Sequence, residues 1–213
     1  MPQYRLINEK MIAVDLAKEE AFAKRGAMVC YTGDVRFSRS FLTGGGIQEL
    51  AMRSVTNEGY SMMKASGVGT VYYAHNGHHV TIVQVSNSTF YVESETLLAF
   101  DGRLRPGTMF LGNQGGVQGV LRGAVSGQGL FTSTLEGTGE VAILSDGNAI
   151  ALEVSSERPV FVDPNAYLGH VGQLSSKVVT DLNWKTFVGQ TSGESYQVKF
   201  SGSGRVYIQA SER

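Results

Sequence analysis

The chain has 213 residues, 42% of them hydrophobic, and a formal net charge of −1 from 18 basic and 19 acidic residues. This length, with no linker or low-complexity tract, predicts a single domain over residues 1–213. The balanced charge argues against electrostatic nucleic-acid binding, and no apolar run approaches the ~18 residues of a membrane-spanning helix.

The cysteine and glycine contents narrow the class further. Cys30 is the single cysteine, which excludes a disulfide within the chain. The N-terminal residues are too polar for a secretory signal peptide, so a reducing, cytoplasmic location is expected. Glycine is overrepresented, with 27 residues against 4 prolines. This ratio predicts tight turns and close backbone approaches.

The predicted elements are mostly strands. Alternating apolar residues predict a strand at 11–16, and residues 17–25 are predicted to be extended although their composition favours a helix. Residues 46–55 predict a short helix, one of the one or two short helices expected in the connections. Asn76-Gly77 and Asp146-Gly147 predict two-residue type I′ hairpin turns.

Three Gly-x-Gly-x-Val segments recur at nearly equal spacing and precede apolar runs. They begin at Gly67, Gly137 and Gly202. Residues 45–80 also align without a gap with residues 115–150, including the two predicted turns. Regular self-similarity of this kind indicates internal duplication.

A second repeated position supports the same conclusion. Phe22, Phe90 and Phe161 each lie in an alternating apolar stretch. We therefore predict three diverged copies of one unit within the domain. Their approximate limits are residues 11–76, 77–146 and 147–210.

The chain ends suggest how the three units are arranged. The third copy lacks a strand after residues 205–210, and the matching strand lies at residues 11–16. Pairing of these two segments would close a pseudo-threefold ring and remove the sheet edges.

A resemblance follows from these motifs. The Gly-Gly-hydrophobic-Gln stretch at 45–48, the Gly-x-Gly-x-Val strands and the run IAVDLAKEEAFAKRGAMVCYTGDV resemble prokaryotic members of the altered-inheritance-of-mitochondria family. The resemblance covers about residues 10–210. It implies the tryptophan-RNA-binding attenuator protein-like superfamily and a double-stranded β-helix or jelly-roll-like β structure. It assigns no catalytic residue.

The clearest candidate for metal chemistry is a histidine cluster, His75, His78 and His79. With Glu93 or Asp101 as a carboxylate, two of these imidazoles could bind zinc or iron. Adjacent strand residues point to opposite faces, however, which separates His78 from His79. The aligned positions of the second unit hold ordinary turn residues, so a plain turn is the competing interpretation.

Other candidates have ordinary structural interpretations. Cys30 is expected to be a small core residue and not a nucleophile. The glycines from Gly44 to Gly46 could form an anion cradle before a helix, although a tight strand-to-helix turn is the more ordinary explanation. Gln48 and Gln118 share one repeat position and are expected to satisfy backbone groups.

Apolar residues outside the expected strand alternation suggest self-association. Met62, Met63, Val120 and Leu121 are predicted to lie in connections, where they either cover an end of the barrel or form subunit contacts. The expected assembly is a cyclic homo-oligomer, with a trimer favoured.

The function predicted from these patterns is a non-enzymatic structural, scaffolding or binding role without a cofactor. Two alternatives remain. One is a cupin-like β barrel, enzymatic or not, that binds a metal or small molecule through the histidines. The other is RNA binding, by analogy with the attenuator ring and against the neutral charge.

Overall fold

The computed structural model describes residues 1–41, 61–110, 131–179 and 197–210. In this part of the chain the fold is mainly β, as predicted, and its helical element is a single 3-10 turn at Ser94–Thr96. The short helices expected in the connections are therefore not found there, and residues 46–55 lie outside the described residues. The strands are β1 Gln3–Asn8, β2 Met11–Lys24, β3 Met28–Phe41, β4 Ser61–Tyr73, β5 His79–Glu93, β6 Leu97–Asp101, β7 Arg105–Phe110, β8 Phe131–Ser145, β9 Ile150–Val154, β10 Val160–Val162, β11 Tyr167–Val179 and β12 Gln197–Ile208.

Strand β2 confirms that residues 17–24 are extended. A bulge between Ala17 and Glu20 interrupts its pairing with β4, and Lys18 there has a φ of 80°. A bulge places two residues opposite one and bends the strand. The alternating burial of the rest of β2 outweighs the helix propensity of its charged residues.

The described strands form one antiparallel sheet. Its order is β10-β12-β11-β5-β8-β6-β2-β4-β3, with β1 added on β2, β7 on β8 and β9 on β12. The Gly-x-Gly-x-Val strands β4, β8 and β12 each pair with the strands that immediately precede them in the chain.

Two short junctions join these three groups of strands. At the first, residues 21–23 of β2 pair with residues 99–101 of β6. At the second, residues 90–92 of β5 pair with residues 169–171 of β11. The sheet therefore runs from group to group through three-residue contacts.

The predicted closure of a ring within one chain is wrong. Residues 12–15 of β2 pair with β1 on one edge and with β4 on the other. Residues 205–208 pair with β11 and β9. Because a strand has only two hydrogen-bonding edges, neither segment can accept the other. The sheet is open among the described residues, and the pseudo-threefold, jelly-roll description stays a prediction.

The predicted type I′ turn forms at Asn76-Gly77, whereas at Asp146-Gly147 only Gly147 has a positive φ, so the type I′ prediction is wrong there. Neither turn makes a hairpin. Asn76 and Gly77 have φ values of 48° and 72°, and the backbone N–H of His78 donates to the carbonyl of His75 at 3.0 Å. The flanking strands β4 and β5 nevertheless pair with other strands. Turn formation depends on the residues of the turn itself, whereas strand pairing depends on the apolar surface that each group of strands buries.

The buried side chains form three clusters, and the first two contain residues from more than one group of strands. The second cluster also contains Leu168 of β11, and Phe22 of β2 packs against it, so the core continues across both junctions.

Met62 also lies in this second cluster. Its prediction as a subunit contact is therefore wrong, because β4 begins earlier than expected and turns Met62 inward. Met63 is half-buried against the first cluster, while Val120 and Leu121 lie outside the described residues.

The first glycine pair lets β3 and β4 approach closely. A Cβ on Gly67 would lie 2.2 Å from the carbonyl oxygen of Asp34, and one on Gly69 would lie 2.0 Å from that of Thr32. Gly67 also has a φ of 127°, which side-chain-bearing residues rarely adopt. These glycines are required by backbone geometry.

We predict that Gly67→Ala lowers the free energy of unfolding by about 2–5 kcal/mol, from φ strain and steric overlap together. Gly77→Ala is the matched control, because its φ is also positive but no atom lies within 4 Å of its Cβ position. Denaturant unfolding at one protein concentration measures both variants. Equal losses would show that close strand approach is not what Gly67 provides.

Candidate functional site

A cleft of about 230 Å³ opens where the turns after β4 and β8 meet the end of the described chain. The β4–β5 turn places His75 and His78 at its wall. His78 Nδ1 lies 2.7 Å from Asp146 Oδ1. The Asp146 backbone N–H donates to Gln209 Oε1 at 3.0 Å, and Gln209 Nε2 donates to the carbonyl of Asn165 at 3.1 Å. The cleft wall is thus anchored from several strands.

The predicted histidine cluster does not converge. His79 turns away from the cleft, with Nε2 3.5 Å from Glu9 Oε2. Neither predicted carboxylate joins the histidines: the Glu93 side chain accepts from the backbone N–H of Glu95, and buried Asp101 is held by Arg103 at 2.7 Å. The carboxylate that does contact a histidine, Asp146, belongs to the second turn. The alignment of the two turns was the signal that could have identified it.

The cleft is suited to weak polar binding at most. Burial, with a smaller contribution from Lys24 and His78, lowers the pKa of His75, so this imidazole is neutral at pH 7. Among the described residues, no group of three or more His, Cys, Asp or Glu side chains is arranged to hold a metal ion. One imidazole paired with one carboxylate does not meet the ligand count of a zinc site.

Aromatic rings stack at both junctions of the sheet. At the first, Phe22 and Phe100 lie opposite each other with ring centres 5.2 Å apart and an interplanar angle of 17°. At the second, Tyr91 and His170 lie opposite each other at 4.5 Å and 8°. Offset stacking of this kind adds to the burial of apolar area.

His170 is a buried histidine that sequence patterns did not single out. Its Nδ1 lies 2.6 Å from the Tyr167 hydroxyl oxygen, and burial lowers its pKa to about 4. The imidazole is therefore neutral in the folded protein at pH 7. Its sequence position gave no sign of this environment, because the second junction was not predicted.

The two ends of the sheet lack such junctions. Strand β3 pairs only with β4, and β10 pairs only with β12, among the described strands. Residues 29–32 of β3 are all exposed, including Val29 at 53% and Tyr31 at 48%. Cys30 is exposed on this edge, so its predicted place in the core is wrong. At the other end, Phe161 of β10 is 52% exposed.

The fold and these surfaces define an open, all-antiparallel β protein with a small polar cleft and an unpaired edge at each end of its strand order. No helix in the described part of the chain is long and apolar enough to cross a membrane. The sequence matches the family described as "Mitochondrial biogenesis AIM24" over residues 4–211, and the chain belongs to this family. This finding confirms the resemblance, and it leaves the biochemical function open.

A solved structure resembles this fold. The crystal structure of protein SPYM3_0169 from Streptococcus pyogenes superimposes with a TM-score of 0.71 at 20% sequence identity. The match covers 100% of this chain and 94% of that chain, so the two share a fold over their whole length. The search of curated proteins gave no match.

We predict that stability falls as the pH drops from about 6.5 to about 4. The folded pKa of His170 lies below the unfolded value of 6.5, so in this window the unfolded chain binds a proton that the folded chain does not. The contribution of His170 to the free energy of unfolding is complete above pH 6.5, and about 3 kcal/mol of it is lost by pH 4.

Denaturant unfolding across this pH range measures the effect. His170→Phe gives the second junction the same residue type that Phe100 provides at the first, and it should flatten the pH dependence of stability. Tyr167→Phe is the control, since it removes the hydroxyl but leaves the histidine buried, and should keep the dependence. An unchanged slope in His170→Phe would contradict the assignment.

Proposed function

We propose that this chain is a non-enzymatic scaffold that acts as a homo-oligomer, with a cyclic trimer favoured. In this proposal the domain contains three repeated units, and each unit presents the same kind of edge. The observation that carries the proposal is the exposure of residues 29–32 on the outer edge of β3. The corresponding strand of the second group, β6, is buried at all five positions.

The composition of this edge supports the proposal. Residues 28–32 read Met-Val-Cys-Tyr-Thr, without a charge or a proline. Natural proteins usually protect an exposed edge strand with charged residues or proline, because an unprotected edge pairs with other chains. Burying a side chain such as Val29 contributes about 1.5–3 kcal/mol. An edge of this kind is therefore suited to hold a partner strand.

The other hypotheses receive less support. The separation of His78 from His79 disfavours the cupin-like metal site, and binding of RNA rests on superfamily analogy alone. Both stay predictions. A cytoplasmic location also stays a prediction, supported by the exposed free thiol of Cys30.

We predict that Val29→Lys weakens the assembly, because a charge on the paired edge must be desolvated. Loss of the buried Val29 side chain alone corresponds to about 2 kcal/mol, more than tenfold in the dissociation constant. Light scattering across a concentration series measures the mass relative to the 22.9 kDa chain.

Val68→Lys is the matched control, since Val68 is 52% exposed but lies on β4, which is paired on both sides. It should leave the mass unchanged. A native protein that stays monomeric at high concentration would contradict the proposed function.

A further inference from the structure

We infer that the β10 edge of one chain pairs antiparallel with the β3 edge of a second copy, forming between chains the junction that occurs twice within each chain. The inference rests on the proposed function, and it names the two edges that meet. Val162 would lie opposite the partner copy's Cys30, and Phe161 opposite its Tyr31.

The first argument is the register of the strand that receives each junction. Phe100 lies opposite Val141 and His170 lies opposite Val206, each valine being the last residue of a Gly-x-Gly-x-Val segment. Tyr31 of β3 lies opposite Val71, the valine of the remaining segment. Tyr31 therefore occupies the position that carries the receiving ring at both junctions.

The second argument is the register of the strand that supplies the other ring. Phe22 lies opposite Lys64 and Tyr91 lies opposite Thr134, each three residues before the first glycine of its segment. Phe161 lies opposite Lys199, at the same distance before Gly202. Phe161 is thus the third supplying ring, and the second is Tyr91 in place of the Phe90 expected from sequence.

The third argument is that, at the positions compared, Tyr31 and Phe161 have no ring stacked on them from across a junction. Phe22 and Tyr91 are stacked on Phe100 and His170, whereas Phe161 and Tyr31 are half exposed at opposite ends of the sheet. Lys199 Nζ lies over the Phe161 ring at 5.6 Å from its centre, and Tyr31 contacts Phe37 edge to face at 5.1 Å, so neither contact is the parallel stacking seen at the junctions. Because the ends are far apart in the strand order, the missing partner belongs to another copy.

The direction of pairing follows from these positions. The supplying edge and the receiving edge differ, so the contact is head-to-tail and every copy has one of each. Such heterologous contacts either close into a ring or continue as a filament. Closure into a ring leaves no unpaired edge of this type, which agrees with the cyclic assembly proposed above.

The test is oxidative cross-linking of Val162→Cys with the native Cys30, using diamide as the oxidant. Directly opposed residues of antiparallel strands have Cα atoms about 4.5–5.5 Å apart, within the range of a disulfide. We expect a ladder of cross-linked chains on a non-reducing gel. Val68→Cys, which is 52% exposed on a strand paired on both edges, should give no ladder.

Mixing single-cysteine chains tests the direction. Chains with Cys30 alone, mixed with chains carrying Val162→Cys and Cys30→Ser, should form dimers that contain one chain of each kind. Cross-linking of the Cys30 chain with itself would show that two β3 edges meet, and would overturn the inference. Where Val162→Cys does not fold, Thr32→Cys with Val160→Cys in the Cys30→Ser background tests the neighbouring pair of the same register.

Light scattering on the same samples separates the two proposals. An oligomer without the predicted cross-links overturns the head-to-tail junction and leaves the scaffold proposal standing. A monomer without cross-links overturns both. Cross-links in the expected pairs, together with loss of the ladder in Tyr31→Asp, support the junction.

Discussion

An antiparallel strand offers two rows of backbone hydrogen-bonding groups, and the position of every element in this sheet follows from how those rows are filled. Strands β4, β8 and β12 are paired on both edges, and each gathers the preceding strands around it. The groups then join through the short β2–β6 and β5–β11 junctions. Strands β3 and β10 stand at the two ends of the strand order, each with an outer edge that no described strand pairs, and the assembly proposal depends on these two edges.

The repeated glycine pattern within this chain allows strands to approach each other closely. Gly67 and Gly69 bring β4 against β3 at distances that no Cβ could share, and Gly202 meets the carbonyl oxygen of Gln173 in the same way. In the first and third segments the glycines therefore serve the geometry of strand pairing. This explains how a glycine-rich chain forms an ordered sheet.

The strand content, the family and the turn at Asn76-Gly77 could be predicted from sequence because they depend on local residue types. Strand pairing could not, since the turn residues do not reveal that β4 and β5 pair elsewhere. The same limit affects the site. The neighbouring strand positions of His78 and His79 correctly argued against convergence, but Asp146 contacts His78 only through the three-dimensional approach of two turns.

The most direct measurement of the central claim is hydrogen exchange at the backbone amides of residues 28–32 that point away from β4. If β3 is paired with β10 of another copy, these amides are protected in the assembled protein to a degree comparable with those of Leu97–Asp101, and they lose protection on dilution. Fast exchange of these amides in a protein that is oligomeric by mass would contradict the account, because the contact would then lie elsewhere.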